Sequence, residues 1–369
     1  MYRPWAEIHH DRLRANFAGL AKHVGGAKVL AVVKADGYGH GMLPVARTLA
    51  DAGAFGFGVA ILPEALTLRE GGIGNPILHM GRFDPRTLAD FTRHNITLSI
   101  HSLEDIGHLE TFHQATGEDV TAHLKIDTGM GRLGVSYADA VEVLEKLRTC
   151  DFIRLEGIYS HFATADEEEP SFMRYQQVRF AQFVHMVQKL RLPVDYFHIA
   201  NSAAVVREAE SHFNMVRPGL LLYGVSPSPA VQSPFPLAPV MDLKAPLVML
   251  KSMPKGAPVG YGRTYRATRA TRIGTLQIGY HDGLPFSLGG KGYVGLDGAV
   301  YPLAGRVSMD LCAVDLADAE PPLGSEVLIW GEADDPRLNV AAQAHLAGSN
   351  SYALLTQLGN RVELQHVNA

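Results

Sequence analysis

Cysteine is scarce: Cys150 and Cys312 are the only two in 369 residues. Two isolated thiols make neither a disulfide framework nor a Cys-x-x-Cys zinc pair, and they suit a reducing compartment. No apolar run is long enough to span a bilayer. The opening Met1-Tyr2-Arg3-Pro4-Trp5-Ala6-Glu7 lacks the continuous apolar core of a secretion signal. Basic excess is also missing, since 33 Lys and Arg against 38 Asp and Glu leave a formal charge of -5. No basic run is interleaved with aromatics, so neither nucleic acid nor an anionic membrane is an expected partner. The 17 histidines are scattered. None falls in a His-Glu-x-x-His or Cys/His cluster, and no metal site is expected. These absences leave the expectation of a cytoplasmic metabolic enzyme.

What is present is apolar material for a sizeable core, 47% of the chain, over a length that suits one large and one smaller domain. From about residue 28 to about 220, short β-rich runs alternate with helical ones. The expected strands are Lys28–Val33, Phe55–Ala60, Ile77–Met80, Ile96–Ile100, Val120–Ile126, Leu155–Ser160, Asp195–Ile199 and Asn214–Val216. Glu169–Leu190 reads as a helix with Pro170 in its first turn, and with Phe172, Tyr175, Phe183, Val184 and Val187 at near-helical spacing. Eight such units point to an α/β fold with an N-terminal (β/α)8 TIM-type barrel, an open doubly wound sheet being the alternative. A Pro-rich connector, Ser226-Pro227-Ser228-Pro229 through Pro239, ends the pattern. Short β-like runs with frequent Gly and Pro follow: Leu247–Leu250, Thr275–Ile278, Cys312–Val314 and Glu326–Ile329. The expected organisation is a strand in residues 1–10 that packs with the C-terminal domain, a barrel over 11–234, and a mostly β domain over 235–369.

Lys34 ends the first expected strand, in Ala31-Val32-Val33-Lys34-Ala35-Asp36-Gly37-Tyr38-Gly39-His40-Gly41. That end of a barrel strand is where such enzymes place their sites. Partial burial lowers a lysine's pKa and makes its amine a better nucleophile toward an aldehyde. A lone strand-end lysine more often just begins a loop. Here three glycines interleaved with Tyr38 and His40 permit close backbone approach to a ligand. The glycines lack the spacing and the following Lys-Ser or Lys-Thr of a phosphate loop.

This segment resembles the pyridoxal-phosphate signature of alanine racemases, and the resemblance recurs in order along nearly the whole chain. It is carried by Pro63-Glu64-Ala65 with Leu68-Arg69-Glu70, by Lys125-Ile126-Asp127-Thr128-Gly129-Met130-Gly131-Arg132-Leu133-Gly134, and by Ser160-His161-Phe162. Ala200-Asn201-Ser202, Val216-Arg217-Pro218-Gly219 and Tyr223-Gly224 follow. The β domain adds Gly260-Tyr261-Gly262, Gly279-Tyr280-His281-Asp282-Gly283 and Ser308-Met309-Asp310. Ser308 stands where many relatives have Cys, and His281 departs from the usual small residue.

The resemblance implies pyridoxal 5'-phosphate as cofactor, held by Lys34 as a Schiff base, with Lys34 also one catalytic base. Tyr261 from a second subunit would be the other base, since racemisation needs a base on each face of a planar carbanion. A tyrosine with its usual pKa of about 10 needs neighbours that favour phenolate, and His161 with Arg217 would form that relay. Arg217 would face the pyridine nitrogen. A guanidinium does not readily give up its proton, so it would leave that nitrogen largely unprotonated and restrain side reactions. Tyr38, Ser202, the backbone of Gly219 and Leu220, and Tyr352 would bind the phosphate, in part through amides at a helix N-terminus. Arg132 and the backbone N–H of Met309 would hold the substrate carboxylate. Tyr280, Met309 and Asp310 would line the substrate entrance from the second subunit. Lys125 matches a position often carbamylated in the family, which would anchor Arg132.

The implied function is interconversion of L- and D-alanine by a homodimer with shared sites, supplying D-alanine for peptidoglycan. A racemase for serine, lysine or several amino acids remains an alternative. An amino-acid decarboxylase on the same barrel would gain from a protonated pyridine, against which Arg217 argues. A non-catalytic cofactor carrier would have no use for a domain that brings Tyr261.

Overall fold

The computed structural model describes residues 2–368. Eight parallel strands form a barrel: Lys28–Val32, Gly56–Val59, Ile77–His79, Leu98–Ile100, Val120–Asp127, Ile153–Tyr159, Tyr196–His198 and Met215–Val216. The last pairs with the first through Met215↔Lys28 and Val216↔Val29. A parallel bridge Leu78↔Thr97 joins the third to the fourth. The seam between the last two is tied by Arg217 N–H to Ala200 O (2.9 Å) and by Phe197 N–H to the Asn214 side chain (2.7 Å). Closure rules out the open sheet. Several strands are short apolar runs, as Val29-Leu-Ala-Val shows, because helices cover one face and the barrel core the other, while the fifth and sixth also carry polar side chains such as His123 and Glu156.

The long helix runs Ser171–Lys189. Its buried stripe of Phe180, Phe183, Val184 and Val187 continues back through Gln176 and Met173. Phe172 and Tyr175, expected on that stripe, are exposed instead. The spacing alone could be extended back along either row, and packing chose the row that meets the core.

The β domain is built on the long strand Met241–Met253. Its first half pairs antiparallel with Trp5–His9 and with Glu326–Trp330, and its second half with Thr271–Leu276. Trp5–His9 is also paired, in parallel, with Glu363–Val367. The chain's first strand thus sits between strands of the C-terminal region. A hairpin, Tyr293–Leu296 with Ala299–Pro302, adds an edge that the sequence pattern had not indicated. Buried residues of both domains, from Ala6 and Ile8 to Leu354, form one continuous apolar cluster.

Candidate active site

The first barrel strand leads directly into an unusual turn. Ala35, Asp36, Gly37 and Tyr38 are all left-handed, with φ of 53°, 52°, 62° and 56°. For the three non-glycine residues such a run costs roughly 1–2 kcal/mol each, so neighbouring groups must hold it. Glu64 Oε1 accepts from the Ala35 N–H (2.7 Å), and Glu64 Oε2 from the Ala60 N–H (2.8 Å). Asp36 Oδ1 accepts from the Met42 N–H (2.8 Å). At Gly39 any side chain would collide with the Leu355 carbonyl, because the helix Ser351–Thr356 packs there. That helix carries Tyr352, whose ring lies 6.0 Å from that of Tyr38.

Lys34 opens into a cavity of about 460 Å³ at the strands' C-terminal ends. Tyr38, Lys125, Arg132, His161, Ser202, Arg217, Gly219 and Tyr352 line the same cavity, with Asn201 and Tyr159. Four cationic side chains face it, Lys34, Lys125, Arg132 and Arg217, and none of the lining residues is an acid. Burial, then Arg132, pushes the Lys34 pKa down. Burial, then Arg217 and Arg132, lowers Lys125 to about 8. Burial, then Arg217, holds His161 well below the usual imidazole range.

Each group is set by its local chain. Asp127 accepts from the N–H groups of Gly129 (2.9 Å), Met130 (2.7 Å) and Gly131 (2.8 Å), and so shapes the loop that ends in Arg132. Gln176, from the long helix, donates to the His161 carbonyl (3.0 Å) and accepts from the Ala163 N–H (2.9 Å). Asn201 caps the helix Ser202–Arg207 through the Ala204 N–H (3.1 Å). Arg217 is buried at the cavity wall. Its Nη1 donates to His198 Nδ1 (2.7 Å), and its Nη2 donates to the Ser160 carbonyl (2.6 Å) and to His161 Nδ1 (3.3 Å). Burial lowers its pKa only to about 10, so it stays charged at neutrality.

The segment after Arg217 differs from expectation. Gly219–Gly224 forms turns, with Leu222 N–H to Gly219 O (2.9 Å) and Tyr223 N–H to Leu220 O (3.1 Å), rather than a helix. Gly219 and Gly224, the latter at a φ of 76°, disfavour a longer helical run there. The Gly219 N–H donates to Ser202 Oγ (2.9 Å). Leu220 is fully buried and is not among the residues lining the cavity.

Five candidate residues lie on the β domain; Tyr352 lines the cavity, and Tyr261, Tyr280, Met309 and Asp310 do not. Tyr261 begins a single 3-10 turn between Gly260 and Gly262, both at positive φ, and is 71% exposed. Tyr280 and Met309 are exposed, and their segments run side by side: Tyr280 N–H bonds Ser308 O and His281 N–H bonds Met309 O, both at 3.0 Å. Arg361 ties the two together through Asp282 (2.8 Å) and Asp310 (2.7 Å). Nothing in the structure explains the His281 side chain. The sequence by itself gives no role to Glu64, Asp127 or Gln176. Glu64 and Asp127 do fall inside the quoted segments, but Gln176 left no signal.

Both domains and the fold recur in known proteins. The alanine racemase N-terminal domain model matches residues 8–227, and the C-terminal domain model matches 240–366. Alanine racemase of Desulforamulus reducens is 39% identical, over 97% of this chain and 97% of that protein. The crystal structure of alanine racemase from D-cycloserine-producing Streptomyces lavendulae superposes with a TM-score of 0.95 at 33% identity, covering 100% of this chain and 98% of that one. Alanine racemase from Bacillus anthracis with bound L-Ala-P gives 0.90 at 33% identity, covering 98% and 94%. Matched through both domains in sequence and in structure, this chain belongs to the alanine racemase family.

Proposed function

We propose that the Lys34 cavity binds pyridoxal 5'-phosphate and that two bases, Lys34 and Tyr261 of the partner subunit, interconvert L- and D-alanine there. The observation that carries this reading is the charge of the cavity. Four cations face it and no carboxylate does, which suits a phosphate and a substrate carboxylate together. The close approach of Tyr38 to Gly219, where a Cβ would overlap the phenol, gives a narrow polar end for the phosphate. Tyr38, Ser202, Tyr352 and the backbone of Gly219 and Leu220 would hold that phosphate, Arg217 would face the pyridine nitrogen, and Lys34 would attach covalently. When bound, the cofactor supplies an electron sink that acidifies the Cα–H of alanine.

The chain's own groups do the rest. Lys34 Nζ gives or takes the Cα proton on one face, and the lowered pKa keeps its neutral form within reach. Tyr261 Oη works on the other face. Arg217 can only donate, so His161 Nδ1 must accept and His161 Nε2 must carry a hydrogen. That leaves His161 a donor toward a tyrosine delivered to it, which favours the phenolate. Arg132 and the Met309 N–H hold the substrate carboxylate, and Tyr280 and Asp310 flank the way in. Carbamylated Lys125 would add the anion that this cationic cluster lacks.

Exposed Tyr261, Tyr280, Phe286 and Met309 on the β domain support a homodimer in which each domain completes its partner's site. Among the described residues no helix is long and apolar enough to cross a membrane. A cytoplasmic supply of D-alanine for peptidoglycan is the role we assign.

The test is incubation with pyridoxal phosphate and L-alanine in deuterated water. Equal D- and L-alanine carrying α-deuterium, lost in Lys34→Ala, is the expected result. Cofactor binding with alanine left wholly L and unexchanged would overturn the alanine assignment and turn attention to larger amino acids.

A further inference from the structure

The interior of this barrel is not simply apolar. Behind Arg217 runs a file of polar side chains that ends on the half-buried Glu156. Arg217 Nη1 meets His198 Nδ1 at 2.7 Å, His198 Nε2 meets His123 Nδ1 at 2.9 Å, and His123 Nε2 approaches Glu156 Oε2 at 3.5 Å. Both imidazoles are buried, as is the guanidinium.

The chemistry of the ends fixes every proton in between. A guanidinium only donates, so His198 Nδ1 is an acceptor and His198 Nε2 carries the hydrogen. His123 Nδ1 must then accept, which leaves the hydrogen on His123 Nε2, facing a carboxylate that only accepts. The file has one direction, from Arg217 to Glu156, and both histidines are neutral in it.

Two backbone features accommodate the file. The pairing of the fifth and sixth barrel strands slips between Ala122↔Leu155 and His123↔Gly157, so Glu156 is the extra residue of a β-bulge. Bulges re-aim side chains and recur beside active sites. Opposite His123, a Cβ at Gly157 would stand 2.5–2.7 Å from three atoms of the imidazole, so only glycine leaves room for the ring. Glu156 is also approached by Thr97 Oγ1 at 3.5 Å and Arg154 Nη2 at 3.7 Å. Tyr159 stacks on His198 with ring centroids 5.0 Å apart.

We propose that Glu156, acting through His123 and His198, is a positioning residue for Arg217: it fixes the tautomers of both imidazoles so that the guanidinium always meets an acceptor. This rests on the reading of Arg217 as the cofactor's ring-nitrogen partner. The arrangement holds an unpaired buried cation in one orientation without placing a carboxylate in the cavity, where an anion would oppose the ligands.

The test begins with the unmutated full-length enzyme labelled with ¹⁵N-histidine, its His123 and His198 signals assigned by single His→Asn variants. Both imidazoles should show the Nε2–H neutral tautomer. Glu156→Leu removes the acceptor, and it should shift the His123 and His198 nitrogens and lower kcat on the order of 10-fold, the lower range for partners that orient a ligand-holding group. KM for alanine should stay within about 2-fold, since Glu156 lies outside the substrate's reach, and Glu156→Gln, which keeps an acceptor, should restore most of the loss. An Nδ1–H tautomer at either histidine in the unmutated protein overturns the proposal, as does a Glu156→Leu variant with unchanged nitrogens or unchanged kcat. Failure of the underlying reading shows separately: Arg217→Lys would then leave the affinity and absorbance of bound pyridoxal phosphate unchanged.

Discussion

The Tyr38 hydroxyl stands so close to Gly219 that a methyl group there would overlap it. Tyr38 cannot swing clear at no cost, because its ring stacks on Tyr223 at 4.9 Å and is itself buried. Gly219→Ala should therefore weaken pyridoxal phosphate binding by about 10-fold, roughly 1.4 kcal/mol, with the fold retained. Titration of the apoenzyme, followed by cofactor absorbance, measures this. Unaltered affinity would mean that Tyr38 and Gly219 do not bound the phosphate site.

Glu64 holds the left-handed turn after Lys34 by accepting from the N–H groups of Ala35 and Ala60. Glu64→Ala removes these two hydrogen bonds to a charged acceptor and a longer third from the Ile61 N–H (3.3 Å). It should cost about 2–3 kcal/mol of stability, read as a lower urea midpoint at unchanged slope. Activity should fall as well, because the strained turn orients the residues that follow Lys34.

Lys125, at a pKa of about 8, is about one-tenth neutral at pH 7, against roughly one part in several thousand for an ordinary lysine. Only the neutral amine attacks carbon dioxide. The new N–C bond forms with loss of one proton from nitrogen and leaves a carbamate anion. Carbamylation should therefore increase as pH rises through 8. A ¹³C carbamate signal from labelled bicarbonate, missing in Lys125→Ala, is the expected observation. Its absence at pH 9 would leave Lys125 an unmodified amine and require another anion for Arg132.

Tyr261 lies on the β domain, away from the lining of its own chain's Lys34 cavity. Lys34→Ala and Tyr261→Phe chains should each be inactive alone. Mixed after subunit exchange, about half the chains fall in heterodimers with one intact site, so activity should recover to roughly a quarter of the unmutated level if sites act independently. No recovery, with exchange demonstrated by mass, would place both bases in one chain.

Much of this protein was legible before its tertiary structure. The eight barrel strands were expected within a residue or two, because parallel strands buried on both faces are written as continuous apolar runs. Lys34, Lys125, Arg132, His161, Ser202 and Arg217 were identified from their segments, and one cavity gathers them. Lys125 and His123 share one face of the same strand by simple alternation. That alternation also held a clue to the polar file, but only once His123 could be seen against His198.

Local order and residue type are determined by the sequence itself: which runs extend, where the Pro-rich connector interrupts the barrel, and which cations can serve an anionic ligand. Periodicity and side-chain chemistry act over a few residues, so the chain carries them openly. Tertiary structure decided what depends on distant partners. It turned Ala35–Tyr38 left-handed, because Glu64 and the Ser351–Thr356 helix hold that segment. It selected the helix row that buries Met173 rather than Phe172. It joined Arg217 to Glu156 through two histidines, because a one-residue slip between neighbouring strands turned a carboxylate inward.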